Sequence, residues 1–119
     1  MNQEYLVELR LLIGTRVSGV IDRPLGSRHP KHQNIIYNVN YGYLSDFIAP
    51  DGEGQDVYVL GAETALKTFE GTVIAIIERL DDIECKLVVA TNDKNFGDEE
   101  IEELVSFQEQ YFKHRIIRK

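Results

Sequence analysis

Residues 40–61 read NYGYLSDFIAPDGEGQDVYVLG. An aromatic turn, Asn40-Tyr41-Gly42-Tyr43, precedes the acidic bend Asp51-Gly52-Glu53-Gly54-Gln55, and a β-branched run opens at Asp56. Three acids, Asp51, Glu53 and Asp56, fall within six residues. Carboxylates this close repel one another unless solvent or a cation neutralises them. Hard oxygen ligands on a Gly-rich bend suit Mg²⁺ or Mn²⁺ better than zinc, which takes Cys and His. The same spacing also fits a solvated acidic turn between two strands. An EF-hand does not fit: counted from Asp51, the sixth position is Asp56 instead of Gly and the twelfth is Ala62 instead of Glu.

Alternation organises the run after the bend. In an extended chain Asp56, Tyr58 and Leu60 face one way, and Val57 and Val59 the other. Tyr41 and Tyr43 alternate likewise, so one belongs to the core and the other can offer its hydroxyl to a ligand, although packing alone also accounts for both. Two more strands are predicted at TVIAIIER, residues 72–79, and ECKLVVA, residues 84–90. Asp81 and Asp82 lie in the turn between them. Glu84 and Lys86 share a strand face, as a metal-plus-phosphate site or a plain surface ion pair would have them. Cys85 points the other way, towards the core.

Before the block, QEYLVELRLLI (residues 3–13) alternates like a strand, but Tyr5, Leu9 and Leu12 also share a helical face. Asn2 as N-cap and Gly14 as stop favour the helix. Residues 15–22 read as a strand, and Ile35 to Tyr37 as a short one. Between them RPLGSRHPKHQN is a loop carrying Arg23, Arg28, Lys31, His29 and His32, the one concentrated basic segment. It reads as an anion-binding loop or as a solvated charged one, and its histidines as metal ligands or as polar surface. Beyond the block, residues 98–113 form the clearest helix, with Asp98 as N-cap and Ile101, Leu104, Val105, Gln108, Tyr111 and Phe112 on one face. Residues 115–118 are a short final strand or a packed tail. The order of elements predicts a mainly β fold with helices (α+β): a small five-stranded OB-like β-barrel, with N- and C-terminal helices packed outside.

The totals bound the function. A chain of 119 residues makes one domain, 1–119, with a hydrophobic fraction of 43%. A net charge of −7 opposes non-specific nucleic-acid binding, and no apolar run is long enough to span a bilayer. One cysteine excludes an internal disulfide and a Cys-based zinc cluster. With no signal peptide apparent, a cytoplasmic protein is expected.

In chain order, IDRPLGSR (21–28), YNVNYGYL (37–44), DGEGQDVYVL (51–60), the acidic turn into KLVVA (86–90) and FQEQYF (107–112) resemble the soluble family I inorganic pyrophosphatases. These barrel enzymes hydrolyse pyrophosphate with several Mg²⁺ ions. The resemblance implies a small-molecule phosphate substrate, Mg²⁺ with Mn²⁺ as the alternative, and no nucleic-acid or membrane partner. The family is often homo-oligomeric; the sequence leaves this chain's state open. By position, the resemblance makes Asp51 and Asp56 metal ligands, and puts Glu53 among the metal-binding acids as the one that helps activate water. One of Asp81 and Asp82, with Glu84, matches a second acidic pair. Lys86, Tyr41 and Tyr111 match phosphate-contacting positions, Asp22 an acid near the first motif, and Arg28 and Lys31 lie near an early phosphate-binding lysine. The chain departs from the pattern in Glu53 and Glu84 for aspartates, in Gly54 and Gln55, in Phe112 for a lysine, and in lacking a β-hairpin between the first two motifs. A site opened in that way would also admit another phosphoanhydride or a phosphate ester. A module that binds metal and phosphate without turnover is a third reading.

Overall fold

The computed structural model describes residues 3–119; the expected N-cap, Asn2, lies outside the described residues. Helix α1 spans Gln3–Leu12, followed by β1 Arg16–Arg23, β2 Asn40–Ile48, β3 Gly54–Leu60, β4 Thr68–Arg79 and β5 Cys85–Ala90, then α2 Asp98–Glu109 and β6 His114–Ile117. The strands run in the order β1-β2-β3-β5-β4, and β1 pairs with β4 to close a five-stranded barrel; β6 adds to β4 outside the ring. All pairings are antiparallel except β3 with β5. The expected barrel with helices outside is therefore the observed one. Among the described residues no helix is long and apolar enough to cross a membrane.

The twelve-residue strand β4 makes closure work. Its first half pairs with β1, Val20 opposite Thr68, and its second half carries β6, Ile77 opposite Ile116. A register shift between Val73 and Ala75 bends it between the two tasks. Strand alternation then sorts side chains into two cores. Val57, Val59, Cys85, Leu87 and Val89 join Ile21, Leu44 and Val73 inside the barrel, with Tyr5 and Leu9 of α1 added. Tyr58, Leu60, Ala75, Ile77 and Val88 face the other way and pack against Ile101, Val105 and Phe107 of α2. Strands buried on both faces read as continuous apolar runs, as β5 does.

Four expectations change. Asn40–Tyr43 is the start of β2, not a turn. Gly42 is required there because a Cβ would lie 1.9 Å from the Val20 carbonyl oxygen on β1. Ile35 to Tyr37 forms no strand; one bridge, Arg28 with Ile36, is all that pairs there, although Ile35 and Tyr37 are buried. Helix α2 is capped by Gly97, with Asp98 as its first residue, and the Gly97 N–H donates to Glu100 Oε1 at 3.1 Å. It also ends at Glu109, so Tyr111 lies beyond the helix and is 57% exposed. The tail resolves as strand β6.

Candidate functional site

The outward faces of β3 and β5 do not meet α2 along their whole length. Where they part, a cavity of about 570 Å³ opens between the barrel, the 23–36 loop and the end of α2. Alternation delivers Asp56 from β3 and Lys86 from β5 to its wall. The two strands are parallel with Val57 beside Leu87, so Asp56 and Lys86 are also neighbours. Lys86 Nζ donates to Asp56 Oδ2 at 2.7 Å and to Glu84 Oε2 at 3.3 Å. Glu84 also accepts from Arg79 Nη1 at 3.1 Å.

Arg79 is the anchor of this wall. Its side chain is 6% exposed, and Nη2 and Nε grip the fully buried Glu109 at 2.8 and 3.2 Å. The Phe112 ring covers the guanidinium, its centroid 3.6 Å from Cζ. Burial works against the charged guanidinium, but the hydrogen bonds and charge of Glu109 outweigh it and hold Arg79 firmly protonated. Behind the wall the bonds continue without a gap. Tyr58 donates to Glu109 at 2.6 Å, Gln108 to Tyr58 at 2.7 Å, Tyr37 to Gln108 at 2.9 Å, and Arg23 to Tyr37 at 2.7 Å. One chain of hydrogen bonds thus links Arg23, Arg79 and, through Glu84, Lys86, all of which line the cavity. Burial raises Tyr41 and Tyr58 well above the usual phenol range, so both present neutral hydroxyls. Burial also raises the Asp22 carboxyl; Arg23 opposes the shift and Asp56 adds to it. His29 is held lower than an ordinary imidazole by burial and then by Arg23, which keeps it neutral at pH 7.

Of the residues singled out from sequence as candidate ligands, Asp22, Arg23, His29, His32, Tyr41, Asp56, Glu84, Lys86 and Tyr111 line this cavity. Asp51 and Asp82 border a smaller one of about 180 Å³, with Asp56 and Glu84 on the ridge between the two. Glu53 lines neither: it is exposed, and its N–H donates to Asp51 Oδ1 at 2.9 Å. Asp81 is exposed and accepts from the Lys113 N–H at 3.4 Å. Arg28 donates to the Gln33 carbonyl at 2.7 Å, and neither Arg28 nor Lys31 lines the cavity. Arg79 and Glu109 are the residues that sequence reasoning missed. The signal for their neighbour was there, since Gln108 is a polar residue on the apolar face of α2.

The donor set does not make a ready cage for a resident metal. Among the described residues, no three His, Cys, Asp or Glu side chains come close enough to hold an ion. The two acids that do meet, Asp56 and Glu84, already carry the Lys86 ammonium. What the arrangement presents is a cleft of fixed cations and neutral hydroxyls beside carboxylates, suited to a small anion.

The closed mixed barrel with its packed helices has the fold of solved inorganic pyrophosphatases. An inorganic pyrophosphatase from Ehrlichia chaffeensis superposes with a TM-score of 0.65 at 13% identity, over 87% of this chain and 85% of that one. One from Neisseria gonorrhoeae gives 0.60 at 19%, over 82% and 74%. The enzyme of Thermus thermophilus gives 0.59 at 17%, over 87% and 83%. No protein-family model and no curated protein matches the chain. At these identities the likeness is one of fold.

Proposed function

We propose that this chain hydrolyses inorganic pyrophosphate to phosphate in the larger cavity, as a cytoplasmic enzyme. The observation that carries the reading is the convergence of Arg79, Lys86, Arg23, Tyr41 and Tyr111 on one cleft of a pyrophosphatase-type barrel. Guanidinium and ammonium groups bind phosphate oxygens and stabilise charge that develops on them during transfer. Arg79 is pre-oriented by Glu109 and Phe112, so little freedom is lost when it meets an anion. Tyr41 and Tyr111 supply hydroxyls, one from a buried side chain and one from an exposed side chain. Asp22, Asp56 and Glu84 are the carboxylates within reach of a bound ligand, and one of them takes the proton of the attacking water. Divalent ions, Mg²⁺ first and Mn²⁺ second, are expected from the family resemblance, and no step here depends on a resident one.

The test is phosphate release from pyrophosphate by folded protein, with and without Mg²⁺ or Mn²⁺. Release above background, lowered several-fold in Tyr111→Phe without a change in melting temperature, supports the reading; no release under any of these conditions sinks it. A second reading, binding without turnover, is favoured by one observation: Asp56 and Glu84 are already neutralised by Lys86 and Arg79. Calorimetry with pyrophosphate separates the two.

A further inference from the structure

Charge is unevenly spread over the lining of the larger cavity. Its carboxylates, guanidinium groups and ammonium belong to Asp22, Arg23, Asp56, Arg79, Glu84 and Lys86, all on barrel strands except Glu84, which immediately precedes β5. The lining drawn from the loop after β1 and from the C-terminal end of α2 has none of these groups. His29, His32, Asn34 and Ile35 come from the loop, Gln108 from α2, and Phe112 from just beyond it. At about 570 Å³ the cavity is also larger than a pyrophosphate anion needs. Pockets that enclose organic ligands of drug size run to roughly 300–1,000 Å³.

The loop side is a formed surface. The His29 N–H donates to the Ile35 carbonyl at 2.9 Å, and the Ile35 N–H to the His32 carbonyl at 2.9 Å. The Tyr37 N–H donates to the Ser27 carbonyl at 2.9 Å. These bonds close the loop on itself and set the His29 and His32 rings together, centroids 5.0 Å apart. The buried Tyr37 ring lies beside His29, 11° from parallel at 6.4 Å. His29 Nδ1 accepts the Lys31 N–H at 3.0 Å, so the ring proton sits on Nε2 as a donor. Gln108 Nε2 donates to the Tyr58 hydroxyl, and its amide has a second N–H to offer. The Phe112 ring, lying over Arg79, marks the border with the charged half.

Imidazole faces, an apolar Ile35 and a few amide and imidazole donors are what holds a nucleobase. Bases stack on His, Phe and Tyr rings, and their edges take hydrogen bonds. A longer inorganic polyphosphate would meet no fixed cation on the loop side, and an alkyl or sugar phosphate would leave the imidazoles unused. We infer that His29, His32 and Ile35 form a subsite for a nucleobase, so that the cavity takes nucleoside phosphates whose phosphoryl groups lie against the strands. The inference rests on the pyrophosphate reading for where the phosphoryl groups lie. It adds a base-binding half that the pyrophosphate reading does not need.

The experiment is calorimetry on the whole chain, in one buffer containing Mg²⁺, with two diphosphonates that cannot be hydrolysed. One is α,β-methylene adenosine diphosphate; the other is the monomethyl ester of methylenediphosphonate, which has the same charged groups and no base. Wild type is expected to bind the nucleoside compound about tenfold or more tightly than the methyl ester. In His29→Ala and His32→Ala that ratio is expected to fall towards one. The ratio is the readout, because a general disturbance of the cavity would weaken both compounds together. His32 is exposed, so its variant decides the matter if His29→Ala does not fold. A wild-type ratio near one overturns the inference, as does a ratio unchanged in the folded variants, or no binding of either compound. Failure of the hydrolysis reading looks different: the preference for the nucleoside compound persists, and no phosphate is released from pyrophosphate.

Discussion

The Arg79 guanidinium, on the last residue of β4, grips the Glu109 carboxylate, on the last residue of α2, with Nη2–Oε2 at 2.8 Å and Nε–Oε1 at 3.2 Å. Glu109 is fully buried, and it also accepts from Tyr58. The pair locks the C-terminal end of the helix to the barrel and fixes one wall of the cavity.

Breaking that pair from one side leaves a buried charge uncompensated, which costs about 3–5 kcal/mol. Glu109→Gln is expected to lose stability on this scale in urea unfolding. The double variant Arg79→Met with Glu109→Gln removes both charges and is expected to be more stable than the single one. A double variant less stable than Glu109→Gln would show that the pair does not act as a unit.

Asp22 sets a pH dependence whose sign comes from its raised carboxyl. Between its ordinary value and the raised one, the folded state binds more protons than the unfolded state. Its stabilising contribution is therefore complete below the ordinary value and lost as pH rises through the raised one. Asp22→Asn is expected to melt higher than wild type at neutral pH, with the gap closing towards about pH 4. Melting temperatures of both proteins across that range check it; a gap that stays constant or widens on acidification contradicts it.

Two glycines should respond differently to alanine. At Gly42 the added Cβ would meet the Val20 carbonyl oxygen at 1.9 Å, a clash between backbones of paired strands. Gly42→Ala is expected to lose at least about 1–3 kcal/mol, or to fail to fold. At Gly52 nothing lies within 4 Å, and only its φ of +87° opposes a side chain. Gly52→Ala is expected to cost about 1–2 kcal/mol. Chemical denaturation of both variants tests the order; equal losses would mean that the β1–β2 approach is not tight.

Much of the barrel was legible because strand alternation is a property of the backbone. Val57 and Val59 on one face with Tyr58 and Leu60 on the other, and Cys85 opposite Lys86, come from a period of two, and the structure has each of them so; which face of β3 is the barrel interior came from the structure. That Glu84 and Lys86 share a face was legible for the same reason, but Asp56 joins them through the parallel β3–β5 pairing, which alternation does not show. Asn40–Tyr43 was misread because a glycine between aromatics has a turn's composition. Gly42 is there for a close contact with a strand that sequence spacing does not show. Ile35 and Tyr37 misled in the opposite sense: their alternation is burial against the second core without strand pairing beyond one bridge.

By itself, then, the sequence determined the barrel, the two faces of its central strands, and the placing of acids and a lysine near one end. These depend on local periodicity and on residue type. Only the tertiary structure decided which acids face the cavity and which, like Glu53 and Asp81, stay on exposed turns, since the path of a turn depends on what its strands pair with. It alone also supplied Arg79 as the fixed cation. An arginine ending a strand has no assigned partner until α2 brings Glu109 beside it from thirty positions away, and burial then makes the pair obligatory.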